Sequence, residues 1–449
     1  MIRTPISALP AAVGNTMAGN TGAGSTVTVA GWVQALRLQR AMQFVILRDH
    51  TGTVQVTHRR DGGPLEAVLD GLTAESAVRV TGQVKANPVV ALGGLELIPE
   101  TVTVENLAQA PLPIDERTGP EGRLDWRFLD VRRRAAARLV FQVQTTVERA
   151  MREFAFTEGC TELHTPKLMG TASESGAEVF ELGYFGRKAY LAQSPQFYKQ
   201  MAIAAGVDRV FEIGPVFRAE PSFTARHATE FTGVDVELAW IDSVEDVMRF
   251  EERMLARLLT AVAAAHGAAI REHFNTEVTV PRLPFPRLTM AEALQISGTG
   301  SAGTAAGPAH AGRADLDHAG ERAVGARVLA ETGHEFAFVT EYPAAVRPFY
   351  HLRPDGKPQL TASFDLLWKG IEITTGAQRE HRYAVLLAQA AEKGLRPEPM
   401  TDYLNCFRYG CPPHGGFGLG LGRLLMVLLG LDSIRDVTFL FRGPNRLTP

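Results

Sequence analysis

Between Thr26 and about Glu105, apolar and polar positions alternate in short runs, TVTVAGWV, FVILRD, GTVQVTHRR, AVRVTGQV and LELIPETVTV, broken by Gly, Asp or Asn. A period of two suits a half-buried strand, and five such runs predict a small all-β barrel. Residues 106–130 hold Pro111, Pro113, Gly119, Pro120 and Gly122 and read as a linker. The period then changes: Val140, Val143, Val147, Met151 and Phe154 fall on one helical stripe. Further on, the runs YLAQ, RVFEIGPVFRAE and EFTGVDVELAWI follow one another without intervening helices, which predicts an antiparallel α+β body. The expected domains are therefore 1–105, a linker over 106–130, and 131–449, with a Gly/Ala-rich insertion near 296–325 that adds little to the core.

The 449 residues suffice for two or three domains, and a hydrophobic content of 45% with 21% charged residues excludes a disordered or collagenous chain. The net charge of −3 means that a nucleic acid must be met by a local basic face. One candidate is the stretch from Gln34 to Arg60, where Arg37, Arg40, Arg48, Arg59 and Arg60 stand against Asp49 alone, a local charge of +4. A solvated strand face would account for the same residues. Three cysteines, Cys160, Cys406 and Cys411, do not complete a zinc site and suit a reducing cytoplasm. No window has the apolar length of a membrane helix or a signal peptide, so neither a membrane nor secretion is expected.

Three segments carry candidate chemistry. In FRAEPSFTARHATEFTGVDVE, two strand-like runs flank a loop with Arg218, Glu220, Arg226 and His227, a set that fits a polyphosphate or a carboxylate; a hairpin with internal ion pairs is the alternative. In FDLLWKGIEITTGAQREH, Asp365, Glu372, Thr375 and Arg379 interrupt an apolar run. Glu372 with Thr375 could hold Mg²⁺ and Arg379 a carboxylate, unless this is an edge strand wetted on one side. In GFGLGLGRLLMVLLG, alternate glycines up to Gly422 precede Arg423 and would let a flat ligand lie on the backbone; no βαβ unit supports a dinucleotide fingerprint.

Together these segments resemble the class II aminoacyl-tRNA synthetases, specifically the aspartyl type of the archaeal-like branch, with the asparaginyl enzymes as nearest relatives. TELHTPKL resembles motif 1, FRAE with RHATEFTGVDVE motif 2, and GFGLGLGR motif 3, joined in family order by TASESGAEVF, AQSPQFYKQ and GIEITTGAQREHR. The resemblance runs from GWVQ to the terminal NRLTP. It implies an N-terminal OB-fold barrel that grips the anticodon and a catalytic antiparallel sheet flanked by helices. The implied reaction joins aspartate to ATP as aspartyl-adenylate and then transfers it to the terminal ribose of tRNA.

By the same resemblance, Arg218 would bridge the α-phosphate and the aspartate carboxylate, Glu220 would read the adenine amino group, and Phe231 would stack on adenine. Arg226 and His227 would touch the distal phosphates and Arg423 the γ-phosphate, with Ala219, Ala228, Gly420, Leu421 and Gly422 beside them on ATP. Glu372 and Thr375 would bind Mg²⁺, Thr375 standing where the family usually has Ser. Glu174 would meet the substrate ammonium, Gln196 would line the site, and Lys199 with Arg379 would pair with the side-chain carboxylate, two cations that disfavour asparagine. In the barrel, Arg37 would sit on the RNA backbone, Phe44 would stack on an anticodon base and Gln55 would read the central uridine.

Two departures stand out: Gly422 replaces the acid that precedes the motif 3 arginine, and Phe441-Arg442 replaces a Phe-Pro-Arg step near the C-terminus. They leave open a diverged paralogue that binds RNA, regulates, or adenylates another acceptor; an asparaginyl enzyme is a separate alternative, because asparaginyl relatives share most of the other motifs. Strict members of the branch carry Trp after GWV and Lys after Pro in the loop before the last barrel strand, positions held here by Gln34 and Val89. The expectation is a cytoplasmic homodimer, paired through Thr161 to Met169, that charges tRNA-Asp and also tRNA-Asn, the second product being converted by an amidotransferase.

Overall fold

The computed structural model describes residues 3–11, 26–171, 179–221, 224–298 and 315–449. The chain divides into two compact units, Met1–Gly119 and Pro120–Pro449.

The first unit is a closed barrel of β1 (Thr26–Leu38), β2 (Met42–Arg48), β3 (Thr53–Arg59), β4 (Ala77–Ala86) and β5 (Leu95–Asn106), in the order β1-β2-β3-β5-β4. The alternation does what its period requires: Val29, Val33, Val45, Leu47, Val54, Val56, Val78, Val80 and Leu97 fill the interior, and their neighbours face out. Gly82 is needed on β4 because a Cβ there would lie 2.1 Å from the carbonyl oxygen of Ile98. The basic stretch is less basic than its count. Arg48 is buried and paired with Glu75 at 3.1 Å, and Arg60 is held by Glu66 at 2.7 Å and Asp70 at 2.6 Å. Arg37, Arg40 and Arg59 remain exposed or half-exposed.

The second unit begins earlier than the sequence pattern suggests. Residues 120–130 are largely helical, in Pro120–Asp125 and Arg127–Arg133, and Arg127 is a buried anchor that pairs with Asp130 at 2.7 Å and donates to the carbonyl of Asp436 at 2.7 Å. Proline and glycine there mark helix starts rather than a free linker.

Its centre is an eight-stranded sheet, β12-β13-β14-β15-β16-β11-β10-β6. These are β6 (Thr161–Glu162), β10 (Arg209–Phe217), β11 (Glu230–Ala239), β12 (Arg287–Thr289), β13 (Phe336–Thr340), β14 (Ser363–Trp368), β15 (Ile371–Arg379) and β16 (His414–Gly420). All neighbours are antiparallel except β12 with β13 and β6 with β10. A separate three-stranded sheet holds β7 (Leu168–Met169), β8 (Glu181–Tyr184) and β9 (Arg187–Leu191).

One face of the large sheet is closed by helices Ala135–Thr157 and Val244–Phe274. The first buries the predicted stripe of Val140, Val143, Val147 and Met151, with Phe154 at its edge. The second is started by a reciprocal cap between Ser243 and Asp246 and stopped by Asn275 at φ 51°. Because side chains alternate, β11 sends Val234, Val236 and Leu238 into this core and leaves Gly233, Asp235 and Glu237 for the other face.

The Gly/Ala-rich segment differs from its expected role. Residues 299–314 lie outside the described residues, but His318–Thr332 is a helix capped by Asp317, with Val324 and Val328 buried against β13 and β14. Its small residues serve close packing: a Cβ on Gly325 would stand 2.5 Å from the backbone nitrogen of Gly370 in the β14–β15 turn. Among the described residues no helix is long and apolar enough to cross a membrane.

Candidate active site

A cavity of about 270 Å³ opens on the sheet face opposite the long helices. It is lined from the end of β10 and the following loop by Arg218, Glu220, Arg226, His227 and Ala228, from β11 by Phe231, Gly233 and Asp235, and from β15 by Glu372, Thr375 and Arg379. Gly418, Gly420, Gly422 and Arg423 complete it from β16 and the helix behind, and Gln196 from helix Gln196–Ala204. Phe417 and Leu419 point into the core, so the alternate glycines present bare backbone on the cavity side, as a flat ligand requires. The structure thus gathers most of the residues singled out by sequence. Glu174 falls outside the described residues, Ala219 does not line the cavity, and Leu421 is buried in the core.

The guanidinium of Arg218 lies over the Phe231 ring at 5.4 Å, held by register: β10 ends at Phe217 opposite Glu230, and Val216 opposes Phe231. Glu220 stands 3.8 Å from Arg218 and 3.9 Å from His227. Burial and the nearby Arg423 hold the His227 imidazole below its ordinary proton affinity, so near neutral pH it serves as a neutral hydrogen-bonding group. Arg226 pairs at 3.0 Å with Glu321, a residue of the helix that sequence patterning assigns to the insertion.

Arg423 donates to the backbone oxygen of Glu372 at 3.2 Å, and its guanidinium lies 3.4 Å from the Glu372 carboxylate. Its aim therefore does not need an acid at position 422, where a Cβ would come within 2.9 Å of Ile434. The altered tail is also integrated: Phe441 is buried in the core, and the backbone oxygen of Arg442 accepts from Thr229 at 3.0 Å.

Thr375 donates to Glu372 at 3.4 Å. Burial, and next the charge of Asp365, push the Glu372 carboxyl up to about 7, against the pull of Arg423. Asp365 itself is buried: one oxygen accepts from Arg347 at 2.6 Å and the other has no hydrogen-bond partner among the described residues. An orphaned buried oxygen beside a carboxyl that holds its proton too tightly is a donor set that fits a hard divalent cation. Among the described residues no three His, Cys, Asp or Glu side chains form a self-sufficient cage, but Mg²⁺ is commonly held by one or two carboxylates together with substrate phosphates. Sequence reasoning singles out Asp365 only as a polar interruption and gives it no role.

The structure revises the side-chain pocket most. Lys199 is buried beneath the cavity, 3.0 Å from Asp235 and 3.3 Å from Glu237, and Arg379 binds Glu237 at 2.9 Å while donating to the Gly416 carbonyl at 2.9 Å. Although burial raises its proton affinity, Arg379 and Lys199 hold Glu237 well ionised. Two cations thus meet two anions, and the expected excess of positive charge is not present. Arg379 alone of the two cations lines the cavity, beside His351, whose Nε2 lies 3.1 Å from Arg379. Burial and the surrounding cations keep His351 neutral. Sequence reasoning missed Asp235 and Glu237, although acids at alternate positions of the apolar run GVDVELA signal a buried charged face.

On the barrel, Arg37 of β1 opposes Phe44 of β2, which opposes Thr57 of β3, and Gln55 donates to the Thr57 hydroxyl at 3.0 Å. Phe44 is half-buried and outside the barrel core, so these three candidates share an outer face. Gln34 is the bulged residue where the β1–β2 register shifts between Val33 and Ala35, and it is exposed. Val89 is 91% exposed in the loop between β4 and β5.

Comparison with known proteins matches residues 119–442 to the family of tRNA synthetases class II (D, K and N), and residues 27–105 to an OB-fold nucleic acid binding domain. The chain is similar to the aspartate–tRNA(Asp/Asn) ligase of Methanopyrus kandleri, 43% identical over 95% of this chain and 96% of the relative. It is 41% identical to the aspartate–tRNA(Asp) ligase of Thermococcus kodakarensis, over 95% of this chain and 97% of the relative. Among solved structures it resembles asparaginyl-tRNA synthetase from Pyrococcus horikoshii complexed with asparaginyl-adenylate, with TM-score 0.88 and 32% identity over the whole of both chains. It also resembles aspartyl tRNA synthetase from Entamoeba histolytica, with TM-score 0.83 and 31% identity over 100% of this chain and 93% of that one.

Proposed function

This chain belongs to the class II tRNA synthetases of the aspartate, lysine and asparagine group, with an OB-fold nucleic-acid-binding domain ahead of the catalytic one. From that premise we propose that it ligates L-aspartate to tRNA-Asp, and to tRNA-Asn as well, through an aspartyl-adenylate. The observation that carries the reading is the convergence of Arg218, Glu372, Thr375, Arg379 and Arg423 on one cavity.

In the first step a carboxylate oxygen of aspartate attacks the α-phosphorus of ATP and pyrophosphate leaves. Arg218 bridges the two reacting anions and offsets the charge that accumulates between them. Phe231 supports the adenine, Glu220 accepts from its amino group, and Arg226, His227 and Arg423 hold the distal phosphates. Arg226 is held through Nη1 by Glu321, which ties the phosphate end of the site to helix His318–Thr332. Glu372 and Thr375, with Asp365, are the residues that would hold Mg²⁺, whose bound charge neutralises phosphate oxygens. In the second step a hydroxyl of the terminal ribose attacks the adenylate carbonyl and AMP leaves.

Selection of aspartate rests on Arg379, whose fork is pinned by Glu237 and the Gly416 carbonyl and meets the side-chain carboxylate from the cavity floor. Charging of both tRNAs is supported by Gln34 and Val89, which bring neither a rigid ring nor a cation to the anticodon face, and by the name of the Methanopyrus kandleri relative. An amidotransferase would then convert the aspartyl product on tRNA-Asn.

The deciding experiment is aspartate-dependent ATP–pyrophosphate exchange, followed by charging of separate tRNA-Asp and tRNA-Asn transcripts. Aspartate should exceed asparagine in kcat/KM by at least about a hundredfold, and the two tRNAs should be aspartylated within about tenfold of each other, a gap equal to about 1.4 kcal/mol. A higher kcat/KM for asparagine sinks the aspartyl reading. Charging of tRNA-Asn more than a hundredfold below tRNA-Asp removes the dual specificity and leaves the rest.

The same reading includes a homodimer through Thr161 to Met169. Sedimentation at micromolar concentration should give twice 48.7 kDa, and a fully active monomer would contradict it.

A further inference from the structure

Gln196 lines the cavity, yet its amide nitrogen points away from it, donating at 3.0 Å to Oε1 of Gln200. Its own Oε1 is therefore the end left for a ligand. An amide has a donor end and an acceptor end, so the cavity receives an acceptor only while Gln200 offers Gln196 an oxygen. What fixes Gln200 lies one layer deeper. Its Nε2 is 2.9 Å from Nε2 of His414, and Nδ1 of His414 is 2.8 Å from the carbonyl oxygen of Pro412.

A carbonyl oxygen can only accept, so Nδ1 of His414 carries the proton. The Cys411 sulfur, at 3.8 Å from the same nitrogen, is too far to reverse this. In a neutral imidazole Nε2 is then an acceptor, and it faces the nitrogen end of Gln200. The oxygen end of Gln200 is left for Gln196, and the Tyr403 hydroxyl, on a ring stacked against Phe197 at 4.1 Å, donates to it at 3.0 Å. Gln200 and His414 are fully buried, so water does not compete for these bonds. Burial also drops the His414 imidazole to about 4, which keeps it neutral at physiological pH.

We infer that the buried Pro412–His414–Gln200 chain is a polarity relay that holds the Gln196 oxygen toward the cavity, where it accepts from the ammonium of the amino-acid substrate. His414 and Gln200 are positioning residues: they touch no substrate, and they determine which end of Gln196 the substrate meets. Reversal at any link would turn an amide nitrogen toward a cation. The inference rests on the proposed amino-acid activation but needs only an α-ammonium, which every amino acid has.

The test compares Gln200→Met, which removes the acceptor at nearly constant volume, with Gln200→Glu, which keeps it. A carboxylate at that position accepts from Gln196 as amide oxygen does, and its other oxygen draws a proton onto Nε2 of His414. KM values are read by pyrophosphate exchange with whichever amino acid the unmodified enzyme activates, so failure of aspartate as the substrate overturns the functional reading and leaves this test standing. Gln200→Met should raise KM for the amino acid at least tenfold, and KM for ATP should stay within threefold. Gln200→Glu should keep both within threefold. His414→Phe, which preserves packing on Phe407, should behave as Gln200→Met does and serves as the second probe if either variant is poorly folded. The relay is overturned if both KM values rise together in the Met and Phe variants, if neither rises, or if Gln200→Glu is as impaired as Gln200→Met.

Discussion

Replacing Glu372 with alanine is expected to slow pyrophosphate exchange by at least a hundredfold, and Arg218→Ala to do the same. The reasons differ. Glu372 is the point where Thr375, Arg423 and the charge of Asp365 meet, and its carboxyl is pushed up to about 7 first by burial and then by Asp365, against the pull of Arg423, so its ionised form gains from an added cation. A carboxyl in that state readily exchanges its proton for a cation. Arg218 acts differently, since its side chain is 43% exposed, stands over Phe231 at the mouth of the cavity and keeps its guanidinium within reach of an incoming anion. Removing one group that acts in the transition state commonly costs about 10²–10³ in rate, or about 3–4 kcal/mol. Exchange kinetics at saturating substrates check both, with melting temperatures to exclude misfolding. Activity within threefold of the unmodified enzyme in either variant would remove that residue from the mechanism. A pH series adds a signed expectation. The ionised form of Glu372 is the one that holds a cation, so exchange should fall as pH drops through about 7, and more magnesium should move the midpoint to lower pH. In Glu372→Gln the residual rate should lose this dependence on magnesium.

The sequence is most informative where a side chain answers to its own strand or helix. Alternation sets Phe44 on the opposite face of β2 from Val45 and Leu47 without saying which face is inside; the structure puts Val45 and Leu47 in the barrel interior and Phe44 outside. The glycines of β16 announce a backbone that something must approach. What the sequence hides is partnership across long separations. Charges counted along Gln34 to Arg60 add up to a basic face, but Glu75 and Asp70 lie outside that window and neutralise Arg48 and Arg60. Arg226 meets Glu321 from a helix 95 residues away. Lys199, on helix Gln196–Ala204, and Arg379, on β15, read as two cations for one substrate carboxylate because Asp235 and Glu237, on β11, can be counted only once that strand is seen between β10 and β16. Motif residues survive such ignorance, since their spacing is local. Electrostatic arguments do not, because a net charge is a property of a place.

The buried pair of Arg379 and Glu237 gives the sharpest split between stability and chemistry. Arg379→Met should destabilise the catalytic unit by about 3–5 kcal/mol, because it leaves Glu237, fully buried, with only Lys199, which Asp235 also claims. The same variant should lose aspartate-dependent exchange altogether. Loss of activity alone would not separate a substrate contact from a collapsed site. The double variant Arg379→Met, Glu237→Gln separates them: removing both charges of the pair should recover most of the unfolding midpoint, since a neutral amide is cheaper to bury than an unpaired carboxylate. Activity should not return, because the guanidinium that meets the substrate carboxylate is still missing. Exchange with asparagine, whose side chain is neutral, should be less affected than exchange with aspartate in the double variant. If instead the double variant activates aspartate within tenfold of the unmodified enzyme, Arg379 is only a strut for Glu237, and recognition of the substrate carboxylate must pass to Arg347, a half-buried arginine on the cavity wall.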